Sequence, residues 1–309
     1  MVAIRPTEPD RDARRIAEIH NQYDPEPIVA ESYADKIKST PPQWSVLRLT
    51  AEDGGETVGF AYARNNPSMK PGLHLLTIGV DGRRQGQGIG TRLLAAVRAE
   101  LSRVEGARLV AMAREEHPFA TTFFAQSGFN LAMTLREGIL DVSSAFLKSS
   151  QLPDGFRLVR WSEIDDTPEN RSRFVTMLQT MDNDEPGTQF FGGFDAATIE
   201  RDAFDPDLSD GQYCYLVEHQ GQWVAHHQFK RVEPDNWNEA AVTFTGTLPE
   251  FRRRGLATAL KNLAVKEMKE LGVQKAITHN DSTNTRMLSI NAAQGFVEKQ
   301  GWAMMEGTV

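Results

Sequence analysis

Six residues, Gln85-Gly86-Gln87-Gly88-Ile89-Gly90, place three glycines in five positions just before a run of good helix formers. The stretch ahead of them, GLHLLTIGV ending at Val80, reads as a strand. A helix that opens after a strand leaves its first backbone N–H groups without intrahelical partners. With no Cβ in the way, several of those N–H groups can converge on one anion, and the positive end of the helix dipole adds to the attraction. Each charge-assisted bond of this kind contributes about 1.5–3 kcal/mol. The chemistry expected here is a phosphate or pyrophosphate cradle; a tight strand-to-helix turn without a ligand is the alternative. The spacing is not that of the dinucleotide fingerprint G-x-G-x-x-G, and no Gly-Lys-Ser/Thr follows to make a P-loop. The pattern that fits is Q/R-x-x-G-x-G/A.

That pattern returns at Arg252-Arg253-Arg254-Gly255-Leu256-Ala257. Gly88 and Gly255 lie 167 positions apart (255 − 88). The same offset pairs Gly79 with Gly246, Thr91 with Thr258, and Gly128-Phe129 with Gly295-Phe296. A register that holds without a gap from Gly79 to Phe129 marks an internal duplication. Near the two starts Arg5 stands opposite Arg160 at an offset of 155, so the second copy carries about 12 extra residues (167 − 155) in its first half. The insertion is expected in MDNDEPGTQFFGGFD, from Met181.

The elements that must hold these turns follow one order in both copies. In the first, VAIRP is a strand, RDARRIAEIHNQY and ESYADKIKS are helices, and WSVLRLTAED, ETVGFAYARN and GLHLLTIGV are strands joined by turns. After the glycines come the helix IGTRLLAAVRAELSRVEG, the strand ARLVAMARE, the short helix PFATTFFAQSG and a final strand or two in FNLAMTLREGILDV. The second copy ends correspondingly in FVEKQGWAMMEG. The class is mixed α/β (α+β): two tandem domains, residues 1–145 and 153–309, each a mixed sheet flanked by helices. The passage DVSSAFLKSSQLPDGF joins them.

A chain of 309 residues has room for two cores, and 40% apolar with 25% charged residues is ordinary for a globular protein. A net charge of −8 argues against a broad basic face for nucleic acid and favours neutral or cationic small partners. The single cysteine, Cys214, excludes an intrachain disulfide and a cysteine metal cluster, and in YCYLV it reads as a packed core thiol. His226 and His227 are adjacent on a strand, so they point to opposite faces and no metal site is expected. MVAIRPTEPDRDARR has no signal-peptide core and no apolar run is long enough to span a bilayer, so the expectation is a cytoplasmic protein without a membrane partner.

Both halves resemble the GNAT superfamily of N-acetyltransferases. The whole chain is similar to its tandem-domain members, the architecture of mycothiol synthase. TGTLPEFRRRGLATALK and NTRMLSINAAQGF carry the likeness in the second half, the Gln85 motif and Gly128-Phe129 in the first. The resemblance implies a partly splayed sheet in each domain and acetyl-CoA as donor. The pyrophosphate would lie on Gln85, Gly86, Gln87, Gly88, Ile89 and Gly90, or on Arg252, Arg253, Arg254, Gly255, Leu256 and Ala257, next to Thr91 or Thr258. The pantetheine arm would run along the strands ending at Gly79-Val80 and at Thr247, whose N–H groups would stabilise an oxyanion.

Acyl transfer to an amine also needs a neutral nucleophile, although a free alkylamine has a pKa near ~10, and a proton for the departing thiolate. Family members often place a tyrosine four residues before the Gly-Phe pair; here Phe124 and Asn291 stand there. Phenylalanine has no proton to give, and asparagine donates a hydrogen bond without being an acid. Asn284 and Asn291, seven apart, share a helix face that looks either toward the CoA arm or into solvent. Asn291, with Asp184 and Glu185 of the inserted acidic loop beside Asp182, are the catalytic candidates. His20, Tyr23, Asp24 and Glu26 occupy the corresponding place in the first copy. The expected function is acetyl-CoA-dependent N-acetylation of a small primary amine, with the C-terminal domain as catalyst. The alternative is a CoA-binding sensor or structural pair without turnover.

Overall fold

The computed structural model describes residues 2–23, 28–66, 69–146, 148–149, 151–182, 199–200, 203–205 and 207–309. The chain forms two compact units, Met1–Thr134 with Trp302–Val309, and Leu135–Gly301.

Unit 1 contains β1 (Ala3–Pro6), α1 (Pro9–His20), α2 (Ala30–Lys38), β2 (Ser45–Asp53), β3 (Glu56–Asn65), β4 (Leu73–Val80), α3 (Ile89–Leu101), β5 (Arg108–Arg114) and α4 (Pro118–Gln126). The chain then enters β6 (Asn130–Asp141). Unit 2 contains β7 (Arg157–Arg160), α5 (Pro168–Asp182), β8 (Cys214–His219), β9 (Gln222–Glu233), β10 (Asn236–Thr247), α6 (Leu256–Glu270), β11 (Lys275–Asp281) and α7 (Thr285–Gln294), and β12 (Val297–Thr308) ends the chain.

Each unit is one mixed sheet. In unit 1 the order is β1-β2-β3-β4-β5, and residues 302–308 of β12 complete it antiparallel to β5. In unit 2 the order is β7-β8-β9-β10-β11, completed by residues 135–141 of β6 antiparallel to β11. The sequence had each copy keep its own last strand, with a contiguous break between 145 and 153. The units instead take their sixth strand from the other copy. A sheet edge offers the same row of backbone donors and acceptors to either strand, so which one docks is a long-range matter. The expected insertion after Met181 lies outside the described residues, except for Met181 and Asp182.

Cores form where strand alternation meets helix stripes. On one face of unit 1, Leu93 and Val97 of α3 pack on Leu109, Ala111 and Ala113 of β5. On the other, Ile16 and Ile19 of α1 pack on Phe60. Each fully buried aliphatic or aromatic side chain contributes about 1.5–3 kcal/mol. In unit 2, His226 meets Phe174 of α5 while His227 stacks on Tyr215 and bonds Thr245 Oγ1, so the two imidazoles do face opposite ways. Cys214 is fully buried, and burial pushes its thiol pKa up.

Asp12, in the first turn of α1, points inward and has no exposed surface. Arg5 holds it with two bonds of 2.7 and 2.8 Å, and the Glu8 N–H and Thr57 hydroxyl add 2.8 and 3.0 Å bonds. Burial pushes the Asp12 pKa up, but these donors outweigh it and hold the carboxyl below its usual value. The ionised group therefore stabilises the folded state above the ordinary aspartate range, and that contribution disappears as pH falls through the lowered folded value. The melting temperature is expected to drop as pH falls below the ordinary aspartate range near ~4, with a flatter profile in Asp12→Asn. Superimposable pH slopes for the two proteins would contradict this role.

Candidate functional site

β4 and β5 of unit 1 pair in parallel only over residues 73–76 with 108–111. Beyond Leu76 the strands part, and the glycine turn closes the opening. Gly88 is left-handed (φ 76°) and caps α3; Gly86 is also left-handed (φ 72°). A Cβ at either position meets nothing within 4 Å, so the backbone there faces open space rather than protein. Both positions suit glycine because of their φ, and the space in front of them is free to take a ligand.

Strand geometry says which backbone groups face the opening. Gly79 stands opposite Phe60, and the Asp81 N–H bonds the Val58 carbonyl, so residues 79 and 81 address β3. Ile78 and Val80 therefore turn their N–H and C=O groups toward the split. Of the two expected oxyanion donors, Val80 turns its N–H toward the split and Gly79 turns its own toward β3. The Val80 carbonyl accepts a 2.9 Å bond from the Tyr23 hydroxyl, which in turn accepts one of 2.9 Å from Gln85 Nε2. The Tyr23 carbonyl accepts a bond from His117 Nε2 at 3.1 Å. Burial, then Asp81, raises the Tyr23 pKa.

The opening is a cavity of about 530 Å³. Gly79, Val80, Gln85, Gly86, Gly88, Ile89, Gly90 and Thr91 all border it, as do His20, Tyr23, His117, Phe124 and Trp302. Gln87 is not on its wall; its Oε1 accepts from Arg84. Arg84 also pairs with Asp53, and Arg83 with Asp81. Met112, Arg114, His117 and Trp302 were not singled out in the sequence. The offset of 167 puts His117 opposite Asn284, which was a usable signal. Trp302 had none, because its neighbour is set by strand pairing.

Unit 2 repeats the backbone design. β10 pairs with β11 in parallel only over residues 239–241 with 275–277, and then leaves it. Gly255 caps α6 with φ 80°. Arg253, opposite Gly86 in the repeat, is also left-handed (φ 63°), which costs a side-chain-bearing residue about 1–2 kcal/mol. The Thr247 carbonyl accepts from Arg252 Nε at 3.0 Å, while Arg254 lies over Phe251 and Phe156. Leu256 is buried, and Ala257 and Thr258 lie in the first turn of α6. A Cβ at Gly246 would come within 2.6 Å of the Phe244 ring and 2.7 Å of Met181 Sδ, and one at Gly79 within 2.3 Å of the Phe60 ring, so a neighbouring ring lies over the strand glycine in both units and Met181 adds to it in unit 2.

The two asparagines separate. Asn284 caps α7 by accepting the Met287 N–H, whereas Asn291 is buried and donates to Asn280 Oδ1 at 2.7 Å. Asn291 borders a cavity of about 40 Å³ with Arg136, Asn280 and Glu298. Asp184 and Glu185, like Asp24 and Glu26, lie outside the described residues. No group of three His, Cys, Asp or Glu side chains with metal-binding geometry occurs among the described residues. Among them, too, no helix is long and apolar enough to cross a membrane.

The Acetyltransferase (GNAT) family matches this chain twice, over residues 13–129 and 176–302. The chain belongs to the GNAT acetyltransferase family. It is thus an acyltransferase with the GNAT fold in tandem. A mycothiol acetyltransferase of Pseudarthrobacter chlorophenolicus is 26% identical over 246 residues, covering 79% of this chain and 72% of the relative. A mycothiol acetyltransferase of Streptomyces coelicolor is 25% identical over 81% of this chain and 75% of its own length. Among solved structures, a tandem GNAT protein from the clavulanic acid biosynthesis pathway superposes with a TM-score of 0.72 at 17% identity, over 99% of this chain and 98% of that one. A GNAT protein from Sphaerobacter thermophilus gives 0.71 at 15% identity, over 99% and 95%. Both agree with the tandem GNAT fold.

Proposed function

We propose that this GNAT protein transfers the acetyl group of acetyl-CoA to a small primary amine by direct attack, and that unit 1 carries the reaction. The observation that supports it is the cavity of about 530 Å³ in which the left-handed glycine turn, the split strands and the side chains of His20, Tyr23 and His117 meet. The relatives named as mycothiol acetyltransferases support acetyl transfer and leave the acceptor open.

The N–H groups at residues 86–90 would hold the pyrophosphate, and the split beyond Leu76 the pantetheine arm. Bound there, acetyl-CoA supplies a thioester carbonyl as acyl donor. Ile78 and Val80 aim N–H groups at the position where negative charge develops. His117 donates its Nε2 proton to the Tyr23 carbonyl, which leaves Nδ1 able to accept the amine proton, directly or through water. A tyrosine keeps its proton at neutral pH, so the Tyr23 hydroxyl can protonate the leaving sulfur in place of the missing family tyrosine.

The test is amine-dependent CoA release over a panel of small primary amines, with His117→Ala and Asn291→Ala side by side. A loss of at least ~100-fold in His117→Ala with little change in Asn291→Ala supports unit 1. The opposite result assigns the chemistry to unit 2. That second reading is favoured by Arg253, whose strained backbone keeps the cradle shape without a glycine. Acetyl-CoA binding without release for any amine would favour a sensor.

A further inference from the structure

Arg114 ends β5, and strand alternation sets its direction. Leu109, Ala111 and Ala113 belong to the core under α3. Met112 and Arg114 therefore point to the opposite face, where α1 packs on Phe60. Trp302 is the register partner of Arg114 across the β5–β12 pair, and the guanidinium carbon lies 4.1 Å from its ring centroid.

The residue is 8% exposed, and its Nε is buried with no hydrogen-bond partner. No carboxylate pairs with it among the described residues. Several arginines around this sheet have carboxylate partners: Arg5 with Asp12, Arg15 with Asp81, Arg84 with Asp53 and Arg108 with Glu306. A buried cation without a counter-charge is costly, and stacking on an indole offsets only part of that cost. Arg114 borders the large cavity, whose described wall contains neither aspartate nor glutamate. On the proposed reading the phosphates of the donor would lie at the glycine turn. Their cradle opens α3, which packs on the other face of β5.

We propose that Arg114, stacked on Trp302, docks an oxyanion on the acceptor, so that unit 1 acetylates an amine that also carries a negative group. This rests on the reading of unit 1 as the transferase. A carboxylate matches the guanidinium fork in a bidentate geometry, and a phosphate or phosphonate shares that chemistry. The acceptor class is then a short amino acid-like amine rather than a simple alkylamine. The overall net charge of −8 does not oppose this, because a buried cation acts locally.

The probes are 4-aminobutyrate, 3-aminopropylphosphonate and butylamine. Binding is measured by calorimetry on the ligand-free and the CoA-saturated protein, and kcat/KM by CoA release. At least one anionic amine is expected to be preferred over butylamine by about 10- to 100-fold, and the better of the two names the anion. Arg114→Met should bring that ratio to within about threefold without lowering the melting temperature of the ligand-free protein, because an unpaired buried charge is removed. Arg114→Lys, which keeps charge but not the fork, should lower the ratio severalfold. Equal binding of all three amines by the wild-type protein would overturn the inference, as would a preference that survives in both variants. An intact anion preference without CoA binding would instead overturn the transferase reading. Acetylation without any anion preference would overturn the Arg114 dock alone.

Discussion

Gly88→Glu is expected to lower the affinity of unit 1 for acetyl-CoA by at least about 100-fold and to remove most amine-dependent CoA release. The new side chain would start where a Cβ meets nothing within 4 Å, in the space the cradle keeps open. It would fill the phosphate position and put a carboxylate at the positive end of α3, turning attraction into repulsion. The fold should survive, at a cost of about 1–2 kcal/mol for a side chain at φ 76°. Gly255→Glu is the matched change in unit 2, at φ 80° with the same open surroundings. It should spare turnover. Calorimetry with acetyl-CoA, kinetics and thermal melting of both variants decide the matter. Loss of turnover in Gly255→Glu alone would move the chemistry to unit 2, and full binding in both variants would remove the cradle.

The largest expected loss of stability comes from Glu267→Ala. Glu267 is 9% exposed. It accepts bonds from both terminal nitrogens of Arg160 and one of 2.8 Å from the Tyr215 hydroxyl. Arg160 also donates to the Gln212 carbonyl and lies over the Tyr215 ring. Removing the carboxylate leaves a half-buried guanidinium and a buried hydroxyl without their acceptor, a loss of about 3–5 kcal/mol. Glu100 holds the equivalent place in α3, 167 positions earlier, but its side chain is 52% exposed and only 3.8 Å from Arg103. Glu100→Ala should stay within about 0.5 kcal/mol. Chemical denaturation followed by circular dichroism measures both, and equal effects would show that the Arg160–Glu267 pair holds nothing together.

The comparison between these two glutamates shows how far the repeat could be read. The offset of 167 identifies the two glycine turns, the helices they open and the strands they close, because these depend on local backbone preferences. A left-handed φ, an unpaired helix N-terminus and an alternating apolar pattern are properties of a few neighbouring residues. The GNAT likeness rests on the same short motifs, and the family match covers both copies. Most of the first glycine motif also borders the large cavity.

Side-chain partners across the fold were not written in this way. Arg5 and Arg160 align in the repeat, yet one takes Asp12 and the other Glu267. Asn284 and Asn291 share a helix and still do different things, one a cap and one a buried pair with Asn280. Trp302 lies beside Arg114 only because the last strand of the chain pairs with β5. Gly79 and Gly246 stand at equivalent places on strands that read alike, yet Phe60 alone lies over the first while Phe244 and Met181 both lie over the second. Local motifs are specified by the energies of a handful of adjacent dihedrals and hydrogen bonds. The unit 1 cavity is lined by residues far apart in the chain, and its shape and charge exist only once long-range strand pairing has brought them together.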